Sequence, residues 1–355
     1  MYSTPERVVA TQEGQSTIVG DSLRHRGAQE LCGGETSDTS VFAMPCASEF
    51  DPFELRNRVI PEDYSNILAR YRTTYGLAEG SVSYADIFDH LELELRLTAE
   101  LLASTPSTRT QTFERCYNEL YEKLPWLAGV GAEPDSDRWL ALLGKRPQRV
   151  YEVGSGSGKL ARALVAAGFD VDATDISSHR GGDRQDTDGL KWSATDGVHL
   201  ADFTAGAPYD AVISDQVVEH LHPDDVLTHF EHAARILRAD GRYIVRIPDA
   251  LTGPHDVSRI FGYDQPIGMH LHEYTNSETV GIAESAGFVN ARGVAPLPGP
   301  MVSRFGPVLV GRSVLTYYNF LENLLGRVSL AKRRKVMRYV PKALEPRVFL
   351  LLSKP

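Results

Sequence analysis

Three glycines at alternate positions, Gly154, Gly156 and Gly158, interrupt two apolar runs in the stretch 149–176, RVYEVGSGSGKLARALVAAGFDVDATDI. The first run holds Val150, Tyr151 and Val153. After the glycines, Leu160, Ala163, Leu164 and Ala167 recur at helical spacing, and Gly168 supplies a stop. The second run, Val171 to Ile176, carries Asp175 near its end. Short apolar runs predict strands and the 3.6-residue period predicts a helix. A strand, a tight turn, a helix and a second strand make two parallel neighbours joined by a crossover. Glycine tolerates positive φ and has no Cβ, so a ligand can lie against the backbone of such a turn. The helix that follows adds N–H groups with no intrahelical partner.

The rest of the chain repeats this grammar. Strand patterns stand at 191–196, 209–215, 242–248, 288–294 and 347–355, with helical patterns opening at Pro223 and at residue 276 between them. Alternation of this kind predicts an α/β fold with a doubly wound, mostly parallel, seven-stranded Rossmann-like sheet. The last run is expected at the sheet edge. Residues 304–343 are basic and amphipathic and are expected as a helical insertion before that strand, with Tyr317, Phe320, Leu321, Leu324 and Leu325 as its apolar stripe. Upstream, helices are expected from Pro61, over 84–104 and over 107–124. Leu91, Leu93, Leu95 and Leu97 alternate as in a strand, but the helix-forming composition around them decides for helix. The chain therefore divides into a disordered or loosely packed tail at 1–50, a helical extension or lid at 51–145, and the α/β domain at 146–355.

Composition limits the partners. There are 47 acidic against 37 basic residues, a net charge of −10, so a broad electrostatic footprint for nucleic acid is absent and only KRRK at 332–335 is locally basic. No apolar run approaches the ~18 residues of a membrane helix. Cys32, Cys46 and Cys116 are odd in number and form no CxxC, which suits a reduced cytoplasmic compartment.

The glycine spacing separates two kinds of cofactor. A dinucleotide turn reads G-x-G-x-x-G, and Lys159 stands where its last glycine would be. From Glu152 to Gly158 the text is E-x-G-x-G-x-G, which resembles the first motif of class I S-adenosylmethionine-dependent methyltransferases. Asp196-Gly197, SDQVVEHL (214–221), LRADGRYIVRIP (237–248) and HLHEYT (270–275) are similar to later motifs of that family, nearest the methyltransferase type 11 group, so the resemblance covers about 149–355. It implies S-adenosyl-L-methionine as cofactor and S-adenosyl-L-homocysteine as product. Gly154, Gly156 and Gly158 would meet the methionine end, and Glu152 would orient the loop or meet the cofactor amine. Asp175, with Ile176 beside it, would take the ribose hydroxyls; its 21-residue offset from Gly154 fits the ~20 expected of such an acid. Asp196 and Gly197 would hold the adenine, and Asp215 and Gln216 would stand at the carboxyl end of the fourth strand.

The reaction implied is SN2 transfer of a methyl group to O, N or C, with O-methylation of a small-molecule acceptor as the leading expectation. A hydroxyl acceptor must lose its proton, and imidazole is a base of suitable pKa. His270 is the first candidate and His220 the second. A divalent metal held by Glu219 and the histidines at 220, 222, 270 and 272 is an alternative, but Gln216 replaces the carboxylate that opens an E-x-x-E-H element, and no metal is expected. His229 and His232 are expected on a solvated helix face. Tyr317, Tyr318 and Phe320 are candidates for lining an acceptor pocket, and the N-terminal helices for a lid or a homodimer contact. The rivals are an NAD-type dehydrogenase and a non-catalytic cofactor-binding scaffold.

Overall fold

A computed structural model describes residues 61–129, 135–145, 148–177, 184–204, 208–341 and 344–355. The expected tail, 1–50, lies outside them. Among the described residues, five helices precede the sheet: α1 (Pro61–Tyr75), α2 (Tyr84–Leu102), α3 (Arg109–Lys123), α4 (Pro125–Gly129) and α5 (Ser136–Leu143). A capping box starts α2: Ser83 Oγ accepts from the Asp86 amide while the Asp86 carboxylate accepts from the Ser83 amide. The alternating leucines resolve as helix, with Leu91, Leu93, Leu97 and Leu101 all buried. Their face packs with Phe113, Tyr117 and Leu120 of α3 and with Met269 and Leu271 from the far end of the chain. Each fully buried apolar side chain of this kind contributes about 1.5–3 kcal/mol. Polar ties reinforce the contact: Thr98 donates to the Gly268 carbonyl, and Arg109 donates to Asp225 and to the Ser104 carbonyl.

The sheet follows in β1 (Arg149–Val153), α6 (Lys159–Ala166), β2 (Asp170–Asp175), β3 (Leu190–Ala194), β4 (Tyr209–Asp215), α7 (Val226–Ile236), β5 (Leu237–Ile247), α8 (Asn276–Ser285), β6 (Val289–Pro296), α9 (Gly299–Phe305), β7 (Val308–Gly311), α10 (Arg312–Leu325), α11 (Leu330–Met337) and β8 (Val348–Ser353). The strand order is β3-β2-β1-β4-β5-β8-β6-β7. The pairings β1–β2, β2–β3, β1–β4 and β4–β5 are parallel, whereas β8 is antiparallel to β5 and β6, and β7 to β6. Alternate residues feed two cores. Tyr151, Val212, Tyr243 and Leu350 face Phe230 and Phe288, while Val150, Ile213, Ile244 and Leu351 face Trp139, Leu160 and Leu164. Both sheet faces are therefore covered, which is why the strands read as nearly unbroken apolar runs.

Two expectations are corrected. The sheet has eight strands rather than seven: Val308–Gly311, expected inside a helical insertion, pairs with Gly293–Pro296 as an edge strand. A four-residue run is too short to carry a period of its own, so the helical text around it dominated the reading. The final strand is internal rather than at the edge. Val348–Leu352 is buried throughout and bonded on both sides, as an uninterrupted apolar run allows.

Candidate active site

β1 ends where the chain turns through Gly154, Gly156 and Gly158, all at positive φ, into α6. A Cβ on Gly154 would lie 2.4 Å from Val217 Cγ2, which no real side chain tolerates. The parallel register sets Val153 beside Thr174 and so brings Asp175 against the turn. Its Oδ2 accepts from the Gly156 amide at 2.8 Å and its Oδ1 from the Ser177 amide at 2.9 Å. Behind the turn, Glu152 is buried and its Oε2 has no hydrogen-bond partner among the described residues. Burial, and then the charges of Asp215 and Asp175, push its carboxyl up to about 8.

A cavity of about 520 Å3, counted with its open mouth, lies over the carboxyl ends of β1, β2 and β4, at the switch point where doubly wound sheets collect ligands. Gly154, Asp175, Ile176, Asp196, Gly197 and Gln216 line it, and His220 stands in its wall. Glu152, Gly156, Gly158, Asp215 and His270 do not line it. Asp215 instead grips Arg246 of β5 through both oxygens, at 2.5 and 2.6 Å. Asp196 Oδ1 caps its own turn, accepting from the amides of Val198 and His199. Gln216 has φ 59, a strained conformation for a residue with a side chain, of a kind that clusters at functional sites.

The opposite wall is aromatic. Phe113, Tyr117 and Tyr121 reach the cavity from α3 at i, i+4 and i+8. The sequence reading gave that helix no aromatic wall; aromatic rather than aliphatic residues at those steps were the signal available. Tyr317, Tyr318 and Phe320 do not line the cavity. Tyr318 is buried against Ala295 and Val314, Tyr317 donates to the Leu344 carbonyl, and Phe320 is exposed.

Two of the histidines come together. The rings of His220 and His270 meet edge to face at 4.9 Å, and Tyr117 closes on His220 at 6.1 Å. His220 Nδ1 donates to the Met269 carbonyl. His270 Nδ1 donates to Glu273 Oε1 at 2.7 Å. Burial alone would lower the His270 pKa, but the Glu273 bond and the nearby Glu219 and Asp256 carboxylates raise it to about 9. Glu219 is fully buried beside the pair and burial pushes it up to about 8, with His270 opposing. His222 and His272 stand apart: His222 caps the Asp224 amide and approaches Arg109, and His272 meets Tyr274 edge to face.

His229 and His232 are buried, which corrects their expected place on a solvated face. His229 shares a helix face with Val226, Phe230 and Ala233 and is carried inward with them. Its Nδ1 donates to the Gly197 carbonyl and its Nε2 accepts from Tyr243, both at 2.6 Å, so a neutral imidazole supports the cavity floor. Burial lowers its pKa to about 4, against the opposing Gly197 bond and Asp196 charge, while His232 adds to the lowering. Unfolded, it titrates near 6.5. The folded pKa is depressed, so this stability is present above 6.5 and is lost as pH falls toward 4. The loss amounts to about 3 kcal/mol. Urea unfolding of the wild type and His229→Gln between pH 7.5 and 4.5 should show the wild-type slope flattened in the variant; parallel curves would refute the assignment.

A model of the methyltransferase domain matches residues 133–292. No curated protein matches the sequence. Among solved structures, the chain is similar to phosphoethanolamine N-methyltransferase 2 of Haemonchus contortus bound to phosphomonomethylethanolamine and S-adenosylhomocysteine, at 17% identity over 70% of this chain and 59% of that one, with a TM-score of 0.40. It is also similar to the 1,6-didemethyltoxoflavin-N1-methyltransferase of Burkholderia thailandensis, at 20% identity over 59% of this chain and 89% of that one, with a TM-score of 0.41. The chain thus spans about three-fifths of the length of the Haemonchus structure. Likenesses of this size say nothing of an acceptor.

Proposed function

Residues 133–292 belong to the class I S-adenosylmethionine-dependent methyltransferases, and from that premise we propose that the chain methylates a hydroxyl of a small molecule. The observation that carries this reading is the single cavity that joins the glycine turn to the aromatic wall of α3 with His220 between them. The cofactor fits the residues present: Gly154, Asp175, Asp196 and Gly197 line one cavity, and the unpartnered Glu152 Oε2 behind the turn suits a cationic group nearby. Gly154 and its neighbours would cradle the methionine end, Asp175 the ribose, and Asp196 and Gly197 the adenine.

When bound, the cofactor supplies an electrophilic methyl group on a sulfonium and leaves as a neutral thioether. The chain's own task is to aim the acceptor and take up its proton. Phe113, Tyr117 and Tyr121 give the acceptor an aromatic wall to lie against. His220, in the cavity wall, would take up the hydroxyl proton, and His270, edge to face with it, orients it from behind. His220 is placed before His270 as the candidate base because it stands in the cavity wall and His270 does not line the cavity. Positioning in line with the methyl accounts for most of the rate.

The test is incubation with cofactor bearing a deuterated methyl group and a panel of hydroxylated small molecules, read by mass spectrometry. Label on an acceptor oxygen is expected. Label on nitrogen or in RNA reassigns the acceptor, and S-adenosylhomocysteine binding with no transfer favours the scaffold. The acidic balance of the chain and the aromatic wall of the cavity favour a small molecule over nucleic acid.

A further inference from the structure

We propose that α10 and α11 carry a docking surface for a lipid bilayer with anionic headgroups. The charge of the chain is unevenly spread. Residues 312–342 hold eight basic residues and one acidic residue, against 29 basic and 46 acidic in the remainder. The one acid, Glu322, is turned inward, where it accepts from the Asn276 and Ser277 amides. Arg333 and Arg334 are tied to the body of the protein, the first donating to the Val328 and Leu251 carbonyls and the second to the Gly253 carbonyl. Arg327, Lys332, Lys335 and Arg338 remain exposed.

Apolar side chains share this surface. α10 and α11 lean on each other through Leu321, Leu325, Met337 and Val340. The residue before each of these, Phe320, Leu324, Val336 and Tyr339, is exposed, Tyr339 to 83%. Phe320, Leu324 and Arg327 recur at i, i+4 and i+7, and Lys332, Lys335, Val336 and Tyr339 at i, i+3, i+4 and i+7. Each outward face therefore mixes apolar groups with cations. Leu344, also exposed, joins them where its carbonyl accepts from Tyr317 of α10.

The chemistry of this face selects its occupant. Apolar groups set among cations are what an interfacial helix offers to the boundary between headgroups and acyl chains. At 14 and 8 residues, α10 and α11 are too short to span a bilayer, which takes about 20, so the contact lies along the surface. RNA would take the cations, but Leu324, Val336 and Leu344 have no ring on which a base could stack. A second copy seated on the same face would set these cations against their own kind. A bilayer containing phosphatidylserine meets both the charge and the apolar groups, and each cation near it strengthens the contact about fivefold. None of these residues lines the cavity, so the surface stands independently of methyl transfer.

The experiment pellets sucrose-loaded vesicles with the full chain, using phosphatidylcholine alone and phosphatidylcholine mixed with phosphatidylserine. Binding is expected to the mixed vesicles only, and it should fall as salt screens the charges. Lys332→Gln/Lys335→Gln should bind about 30-fold more weakly, and Phe320→Ser/Leu324→Ser about tenfold or more. Lys191→Gln, on β3 at the opposite edge of the sheet, should bind as the wild type does. In Tyr339→Trp, lipid brominated on its acyl chains should quench the new indole, which marks penetration rather than contact of charges alone. Melting curves show that each variant is folded. The surface is overturned by absent pelleting, by pelleting that both double variants retain or that Lys191→Gln weakens equally, or by an indole left unquenched. Saturable RNA binding without vesicle binding would give the face to nucleic acid. A doubled mass in solution that Phe320→Ser/Leu324→Ser abolishes, again without vesicle binding, would give it to a second copy, and either result overturns the proposal. Failure to bind S-adenosylhomocysteine bears on the methyl-transfer reading alone.

Discussion

Asp175→Ala is expected to weaken S-adenosylhomocysteine binding by about 10²–10⁴-fold, the cost of losing two hydrogen bonds to a charged group. The carboxylate already accepts from the Gly156 and Ser177 amides, lies 4.0 Å from the Arg184 guanidinium, and lines the cavity. It therefore has two tasks, holding the glycine turn and holding a ligand. The alanine variant loses both and leaves two amides short of an acceptor, at about 1–3 kcal/mol each if they stay dry. Asp175→Asn separates the tasks. One carbonyl oxygen can still serve an amide, so its melting temperature should stay nearer the wild type while its affinity falls. Calorimetry with S-adenosylhomocysteine beside a melting curve reads both quantities. An alanine variant that binds as the wild type does would remove Asp175 from the cofactor site.

The cofactor end was legible because its demands are local. A positive-φ turn that nothing larger than glycine can occupy, and an acid at the end of the next strand, are each written in a few adjacent residues. The aromatic wall was not legible, because long-range packing assembles it, and the sequence named His220 and His270 without showing that their rings meet. His220 and His270 lie fifty residues apart and meet only because the Glu219 carbonyl binds the amides after His270. The aromatic wall arrives from α3, more than thirty residues before the glycine turn. His229 went unread for a related reason: polar residues three apart on a helix suggest solvent, yet Val226, Phe230 and Ala233 share its face and carry it inside. The eighth strand eluded pattern reading because its identity rests on its partner, β6, rather than on its own four residues.

His220→Ala should lower turnover by about 10²–10⁴-fold, the range of a lost general base, while S-adenosylhomocysteine affinity stays near the wild type. Its ring borders the cofactor cavity but bonds to the Met269 carbonyl rather than to the glycine turn. Its removal therefore disturbs the acceptor side. His270→Ala is expected to give a similar loss by a different route. His270 lies behind His220 and is held by Glu273, so it acts through the orientation and charge of its neighbour. Residues that work as a unit are strongly non-additive, and the double variant should be hardly slower than either single one. Single-turnover rates with the acceptor identified by methyl labelling supply all four corners of the cycle. Multiplicative losses would mean that the two imidazoles serve separate steps, and a His220→Ala enzyme with wild-type turnover would mean that the acceptor sheds its proton without either.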